Sequence, residues 1–307
     1  MAFDTEITRA GTTLTGPLRR PAQMLADQEY DGHASVHDDA TAAAMGLKGA
    51  PIEAPTHFSQ FDPLAVEVWG ADWFERGCIS CHFRTMVVEP EEVQASLTTT
   101  GETTASIGAH KADGTPVLTG TASIGPSYGE TELDRRLASM GDPGELFIVD
   151  RLEVGMRSDG EVVSVDHYGT NGSGYPFSLA RKLDKITEPH PWYTKEQGDT
   201  SPWGRAVLPM EMISVLAHKS GPSWPVRSPV LGLFLDMEVR LLAGPVFVGQ
   251  EYSLSRELVG LSQSRRTESY WTRTTIADAG AGAKVAEVLL HSGVFKDSYP
   301  GYPSGPS

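Results

Sequence analysis

Residues 37–74 read HDDATAAAMGLKGAPIEAPTHFSQFDPLAVEVWGADWF, and this stretch decides how we interpret the rest of the chain. A polar His-Asp-Asp cluster leads into an alanine-rich turn. Gly49, Pro51 and Pro55 then prevent a regular helix, because proline lacks the amide hydrogen that a helix interior needs. The stretch therefore predicts a polar loop and a bend, followed by a long apolar segment.

The apolar segment predicts a helix over residues 56–74. Thr56 can cap a helix that begins at His57, and Asp62, which precedes a proline, is a second start signal where the helix restarts or kinks. Apolar residues then recur at helical spacing. Strand-like sequence follows over residues 78–124, so we expect one helix against a following antiparallel sheet.

The second half of the chain repeats this order. Its bend at residues 204–209 resembles the bend at residues 49–55, and a helix is predicted over residues 209–219. Two strands, residues 146–154 and 161–168, are predicted around a turn at residues 158–160. Further strands are predicted at residues 230–242, 251–261, 268–277 and 284–295. We therefore expect two similar units and a tail: residues 1–135, residues 146–295 beyond a linker at 125–145, and residues 296–307, disordered or extended.

Charge and composition exclude several classes of function. The 307 residues include 40 acidic and 25 basic side chains, a net charge of −15 that would repel nucleic acid. We expect no signal peptide, because the first residues lack a basic start followed by an apolar core. No apolar run approaches the roughly 20 residues that cross a bilayer. Two cysteines argue against a disulfide framework. We expect a soluble cytoplasmic protein with neither nucleic acid nor membrane as partner.

The residues around His37 resemble the MaoC-like (R)-specific enoyl-CoA hydratase/dehydratase family. Residues 34–39 occupy the place of its Asn-Pro-Ile-His-x-Asp segment, and residues 53–56 resemble its Ala-Pro-Pro-Thr bend. The resemblance covers most of residues 25–295. It implies the α+β double hot-dog fold, in which two antiparallel sheets each wrap a central helix.

The resemblance also implies a lyase that hydrates an enoyl thioester or dehydrates a 3-hydroxyacyl thioester, with coenzyme A only as the carrier of the substrate. Hydration needs a base for water, an acid for the α-carbon and a donor to the carbonyl oxygen. Asp31 and His37 can share the first two roles. Backbone amides near Thr56 and His57 can supply the donor, because a helix start leaves amides unpaired.

Asp184 and His190 are the corresponding candidates in the second half. In both halves the aspartate stands six residues before the histidine, whereas the family places it five before. Either the loops are one residue longer, or neither half has the family's pair. The simpler alternative for the first half is a solvated cluster around His37 that stabilises a turn.

Arginines are the candidate ligands for the phosphates of coenzyme A, since guanidinium groups bind phosphate in two-pronged fashion. They are Arg84, Arg240, Arg265 and Arg266. Each has the alternative of pairing with a carboxylate. No metal site is expected, because adjacent residues of the His-Asp-Asp cluster rarely bind one ion together. Cys78 and Cys81 lie three apart in a predicted strand, point to opposite faces, and are expected to be packed thiols.

Two other functions remain open from the sequence. A hot-dog thioesterase would place a carboxylate on the helix, and Glu67 could be that group. A catalytically silent acyl-binding subunit would explain the displaced aspartates. For any of these functions we expect a homodimer or higher oligomer, because the edge strands of a sheet tend to pair.

Overall fold

The computed structural model describes residues 3–30, 32–220 and 224–303. Eleven strands form one antiparallel sheet, and β3 and β4 form a separate pair. The strands are β1 (Thr8–Ala10), β2 (Thr13–Thr15), β3 (Glu29–Tyr30), β4 (His33–Ala34), β5 (Gly77–Phe83), β6 (Val93–Thr99), β7 (Thr104–Lys111), β8 (Pro116–Ile124), β9 (Arg157–Val163), β10 (Gly232–Leu241), β11 (Tyr252–Gln263), β12 (Thr267–Asp278) and β13 (Lys284–Phe295).

The helices are short. The α-helices are α1 (Asp39–Ala44), α2 (Asp62–Trp69), α3 (Asp72–Arg76), α4 (Glu132–Ala138), α5 (Leu179–Leu183) and α6 (Met210–His218). Segments of 3₁₀ helix occur at Ala54–Phe61, Pro191–Tyr193, Gly198–Thr200 and Lys296–Ser298. None of the helices in the described part of the chain is both long and apolar enough to cross a membrane.

The helix expected at residues 56–74 forms in three pieces: the 3₁₀ helix Ala54–Phe61, then α2 and α3. The restart expected at Asp62 is confirmed, because α2 begins there. Gly70 ends α2 with a φ of 62°, a left-handed conformation that favours glycine. The second expected helix, residues 209–219, is confirmed as α6.

The order of strands repeats between the two halves. Outward from the middle of the sheet, the first half has β5, β8, β7, β6 and β2, and the second has β10, β13, β12, β11 and β9. β5 and β10 pair with each other, and the Ser80–Glu238 pair lies in the middle of their register. The strands of both halves therefore join into one continuous sheet rather than two separate ones.

One face of this sheet carries the main core. Ile79 and Cys81 of β5 and Val239 of β10 pack with the buried helical segments on that face. Side chains that alternate with them, such as Glu238, lie on the other face, where α4 covers β5 and β10. Each large apolar side chain buried in this way contributes roughly 1.5–3 kcal/mol.

Two expectations for residues 125–168 are wrong. Residues 146–154 form no strand, and the turn expected at residues 158–160 lies inside β9. Gly160 adopts a φ of 95° at an irregularity in the β9–β11 pairing, so the chain bulges and continues instead of reversing. The linker contains α4, which Thr131 caps through a reciprocal pair of hydrogen bonds with Asp134.

Candidate active site

A cavity of about 380 Å³ lies where the bend before the first buried helix meets β10 and β13. Most of its wall is apolar, with side chains that include Leu25, Ile52, Phe83, Leu233 and Phe234. The polar side chains that line it include His37, Glu53, His57 and Arg84. An apolar chamber with a few polar groups is the usual form of a small-molecule site.

His37 is held in one tautomer by the backbone of the bend. Its Nδ1 lies 2.6 Å from the carbonyl oxygen of Pro51. A carbonyl oxygen can only accept, so Nδ1 donates and the lone pair is on Nε2. Burial lowers the pKa of His37 below its ordinary value, which outweighs the opposing effect of the Pro51 carbonyl. At neutral pH the imidazole is therefore a neutral base.

The acidic residues next to His37 stabilise the turn. The Oδ1 of Asp38 accepts from the Thr41 N–H at 2.8 Å and so caps α1. Asp39 accepts from the Ala50 N–H at 3.3 Å. The simpler interpretation of the cluster therefore holds for these two aspartates, while His37 lines the cavity. Asp31, the proposed partner of His37, lies outside the described residues.

Glu53 is a candidate that the sequence analysis did not identify. Its side chain is 7% exposed, and among the described residues its Oε1 has no hydrogen-bond partner. Burial raises the pKa of Glu53, against the opposing effects of Lys182 and of a hydrogen bond with Tyr175. A raised pKa favours the neutral acid, which can donate a proton. The sequence feature that could have identified Glu53 is a single charged residue in an otherwise apolar bend.

His57 enters the site through its ring. The side chain is buried, and burial followed by the charge of Lys182 lowers the pKa of His57 to about 4. Its Nδ1 lies 3.3 Å from the Nε2 of Gln60. Because an amide nitrogen donates, Nδ1 accepts and the imidazole proton is on Nε2. His57 is thus a neutral hydrogen-bond donor in the wall of the cavity.

Thr56 does not supply the expected amide. The helix begins at Ala54 with Glu53 as its N-cap, and the Thr56 N–H donates to the Glu53 carbonyl at 3.1 Å. The Thr56 hydroxyl accepts from the Nζ of Lys182, also at 3.1 Å. Thr56 is therefore part of the support behind the cavity. The expected cap, Thr56, lies three residues after the observed cap, because a 3₁₀ turn forms around Pro55.

Of the four candidate arginines, Arg84 alone lines the cavity. It is exposed, and no ion pair of its side chain occurs among the described residues. Arg240 lies 2.7 Å from Glu238, on the opposite face of the sheet from the main core. Arg265 and Arg266 are in the exposed turn between β11 and β12. The structure therefore does not place these three in the cavity.

The second half repeats the backbone contacts of the bend, a β-bridge and the hydrogen bond that follows it, which together we call the frame. Pro51 forms a β-bridge with Val88, and Val207 forms one with Phe247. The next residue in each half repeats the pattern: the Ile52 N–H donates to a carbonyl at 2.7 Å and the Leu208 N–H to another at 2.8 Å. In each half the accepting carbonyl belongs to the residue just before the bridge partner, Val87 in the first half and Val246 in the second. Val207 is thus the structural counterpart of Pro51.

The counterparts of the two cavity groups follow from this frame. Pro209 stands in the second half where Glu53 stands in the first, and Tyr193 stands where His37 stands. The next residue supports the match, since Thr194 Oγ1 accepts from a backbone N–H three residues later, as Asp38 does. The second frame therefore lacks both the histidine and the carboxylate.

Asp184 and His190 lie in different surroundings. Asp184 ends α5 and is exposed. His190 is buried, with its ring 4.4 Å from that of Phe3 and 4.5 Å from that of Trp192. Its Nδ1 accepts from the Trp192 N–H at 3.2 Å. The expected pair is thus one surface carboxylate and one histidine packed among aromatic rings.

The remaining sequence candidates lie outside the cavity. Cys78 and Cys81 are free and buried, and burial raises the pKa of both thiols well above the ordinary range. Glu67, the carboxylate considered for a thioesterase, is 48% exposed and lies 3.2 Å from Arg9. Within the described residues, no group of three or more His, Cys, Asp or Glu side chains could hold a metal ion.

Solved structures identify the fold. A protein from Chloroflexus aurantiacus described as a MaoC domain dehydratase has a TM-score of 0.53 at 12% identity, over 96% of this chain and 95% of that one. RV0216 from Mycobacterium tuberculosis, described as having a double hotdog fold, has a TM-score of 0.50 at 12% identity, over 84% and 86%. The fold is a double hot dog. The resemblance to MaoC-like proteins is confirmed at that level, and no family profile or curated sequence matches the chain.

Proposed function

We propose that this double hot-dog protein is a hydro-lyase that interconverts a 3-hydroxyacyl thioester and an enoyl thioester in the first-half cavity. One observation carries the proposal. The Pro51 carbonyl fixes the lone pair of His37 on Nε2, in a cavity that also contains buried Glu53. Burial lowers the pKa of the histidine and raises that of the carboxylic acid, as a base and an acid working together require.

In the dehydration direction, His37 Nε2 takes the proton from the α-carbon of the substrate. The electron pair of that C–H bond forms the Cα–Cβ double bond while the bond from Cβ to the hydroxyl oxygen breaks. Protonated Glu53 gives its proton to the departing oxygen, which leaves as water. His37 is then an imidazolium and Glu53 a carboxylate, and return of the proton restores both. Hydration follows the same steps in reverse.

The thioester oxygen gains negative charge when the α-proton leaves, so it needs donors. The neutral His57 ring offers its Nε2–H from the wall of the cavity. Pro55 has no amide hydrogen and the Thr56 N–H is used, which leaves the Ala54 N–H in the first turn of the helix. Ala54 also lines the cavity. We assign the carbonyl oxygen to these two donors.

The cavity favours a short to medium acyl chain. Its volume of about 380 Å³ is near the lower end of the range for small-molecule sites, roughly 300–1,000 Å³. Exposed Arg84 is available for a phosphate of coenzyme A. No cofactor is required, because His37 and Glu53 supply the proton transfers, and His57 and the Ala54 amide supply the hydrogen bonds to the carbonyl oxygen. We retain a homodimer or higher oligomer as a proposal, with strand edges at β1 and β9.

A panel of 3-hydroxyacyl, enoyl and saturated acyl thioesters, analysed by mass spectrometry, tests the proposal. We expect loss or gain of water on the first two, and no release of free thiol from any. Thiol release without water exchange would instead indicate a thioesterase, and binding without either product a silent acyl-binding subunit. His110→Ala and Glu67→Gln are matched controls, since both residues are exposed and lie outside the cavity.

A further inference from the structure

The outer face of the sheet, which α4 partly covers, carries a second cluster of reactive side chains. Asp236 of β10 is fully buried. One carboxylate oxygen accepts from the Nδ1 of His291 at 2.5 Å, and the other from the Nδ1 of His82 at 2.7 Å. The Nε of Arg136, in α4, lies 2.8 Å from the same aspartate. None of these groups lines the first-half cavity.

His291 connects this buried aspartate to a serine. Because Nδ1 donates to a carboxylate, the lone pair of the ring is on Nε2. That atom lies 3.2 Å from the Oγ of Ser262, on β11. The ring of Trp271, on the intervening strand β12, stacks on His291 with centroids 4.1 Å apart and planes at 11°. A series of hydrogen bonds thus runs from Asp236 on β10 through His291 on β13 to Ser262 on β11.

We propose that Ser262 is a nucleophile, activated by His291 and Asp236, that accepts the acyl group of small activated esters. The geometry meets the two conditions for such a site: the base is within hydrogen-bond reach of the hydroxyl, and a third group orients the base. Ser262 is half-buried rather than enclosed in the core. The Ser269 Oγ lies 2.8 Å from Ser262 Oγ, and the Ser269 hydroxyl donates to the Ser262 backbone carbonyl at 3.1 Å.

The charge states of the cluster suit this role. Burial opposes ionisation of Asp236, but hydrogen bonds from His291 and His82 outweigh it and lower its pKa. Burial also lowers the pKa of His291, against the opposing effect of Asp236. The histidine is therefore neutral and the aspartate ionised near neutral pH. An imidazolium formed during the reaction would lie directly against the carboxylate.

The reaction has two balanced steps. Ser262 Oγ attacks the ester carbonyl while its proton moves to His291 Nε2, and the alcohol leaves with that proton. The product is an acyl-serine and a neutral histidine. Water then attacks the acyl-serine, again with His291 as the base, and releases the carboxylic acid. A fluorophosphonate probe follows the first step only: the Oγ–P bond forms, the P–F bond breaks, and hydrogen fluoride departs.

The test is labelling of the full chain with an alkyl fluorophosphonate, followed by peptide mapping. We expect the label on Ser262 and its absence in Ser262→Ala. His291→Gln should slow labelling by about 100-fold, the lower end of general-base effects. Ser253→Ala is the matched control, since Ser253 is on the same strand and its Oγ donates to the Ala277 carbonyl at 3.4 Å. Labelling of that variant should equal wild type.

Two results would overturn the proposal. One is the absence of label from Ser262 in wild type, whatever other residue reacts. The other is wild-type labelling in a His291→Gln protein whose circular dichroism shows that it is folded. If His291→Gln does not fold, the position of the label in wild type and in Ser253→Ala still shows whether Ser262 is the nucleophile. Water exchange on thioesters is a separate readout, because none of these residues lines the cavity.

Discussion

In the first half, the carbonyl of Pro51 accepts from His37, and Glu53 is buried two residues later. In the second half, Val207 takes the place of Pro51, with Tyr193 before it and Pro209 after it. The two bends share one β-bridge and the backbone hydrogen bond of the residue that follows it. Both halves therefore have the same backbone arrangement, but only the first combines it with a histidine and a carboxylate.

The second frame serves packing. The Tyr193 hydroxyl donates to the Oδ2 of Asp62 at 3.0 Å, and the Trp73 Nε1–H donates to the other oxygen at 2.8 Å. All three residues are buried. The position that carries a candidate base in one half thus ties the second half to the α2 helix of the first.

The largest effect is expected at His37. His37→Ala should lower kcat/KM for water addition or loss by roughly 10²–10⁴-fold, because it removes the base. The side chain is half-buried at a polar bend, so the fold should remain intact by circular dichroism. Asp184→Asn is the second-half control, and its activity should equal that of wild type. Full activity in His37→Ala would place the base elsewhere.

The pH profile of kcat/KM should show two limbs. His37 must be neutral to act as the base, and its pKa is lowered, so the rising limb should lie below pH 6.5, the ordinary pKa of histidine being about 6.5. Glu53 must be protonated, and its raised pKa puts the falling limb above its ordinary value of about 4.3. Glu53→Gln should lower the rate and abolish the falling limb. A falling limb that persists in this variant would assign the acid to another group.

Much of the fold follows from local sequence. Strands β5 to β8 and β10 to β13 were predicted because alternating apolar residues and turn signals mark them directly. Around Gly160 the sequence favours a turn, but pairing with β11 keeps the chain in a strand. This pairing joins distant parts of the chain, so no local pattern reveals it. Glu53 was missed for a similar reason. Its pKa is set by burial, which raises it, and by Lys182 and Tyr175, which lie far along the chain and lower it. One carboxylate in a bend therefore shows no pattern of its own in the sequence.

Tyr193→Phe should affect stability and leave kcat/KM unchanged. Burial raises the pKa of Asp62 to about 7, against donors that include Trp73 and Tyr193. Loss of the Tyr193 hydroxyl removes a donor to the ionised form and should raise that pKa further. Because Asp62 is ionised only above about pH 7, the loss should be greater at pH 8 than at pH 5.

We expect a cost of about 1–3 kcal/mol in the free energy of unfolding at pH 8, the range for a buried group that loses its partner. Urea denaturation at both pH values measures it. An equal loss at the two pH values would show that Asp62 stays protonated throughout. Reduced kcat/KM in a folded Tyr193→Phe protein would argue that the second frame also contributes to the chemistry.

The smallest effect is expected at Arg84, at the exposed side of the cavity. Arg84→Ala should raise KM for a coenzyme A thioester by up to about fivefold, since an exposed ion pair contributes about 0.2–1 kcal/mol. The matching pantetheine thioester lacks the nucleotide phosphates and should show no change. Arg266→Ala is the control, because Arg266 is exposed and does not line the cavity. Equal effects on both thioesters would show that Arg84 does not contact a phosphate of coenzyme A.

To test directly whether His37 and Glu53 act as one catalytic pair, kcat/KM of the double variant His37→Ala, Glu53→Gln is measured beside that of the two single variants. Groups that act as one unit are strongly non-additive, because loss of either already abolishes the concerted proton transfer. We therefore predict that the double variant is about as slow as the slower single variant. If the two losses multiply, or if either single variant keeps wild-type activity, His37 and Glu53 do not form one catalytic pair.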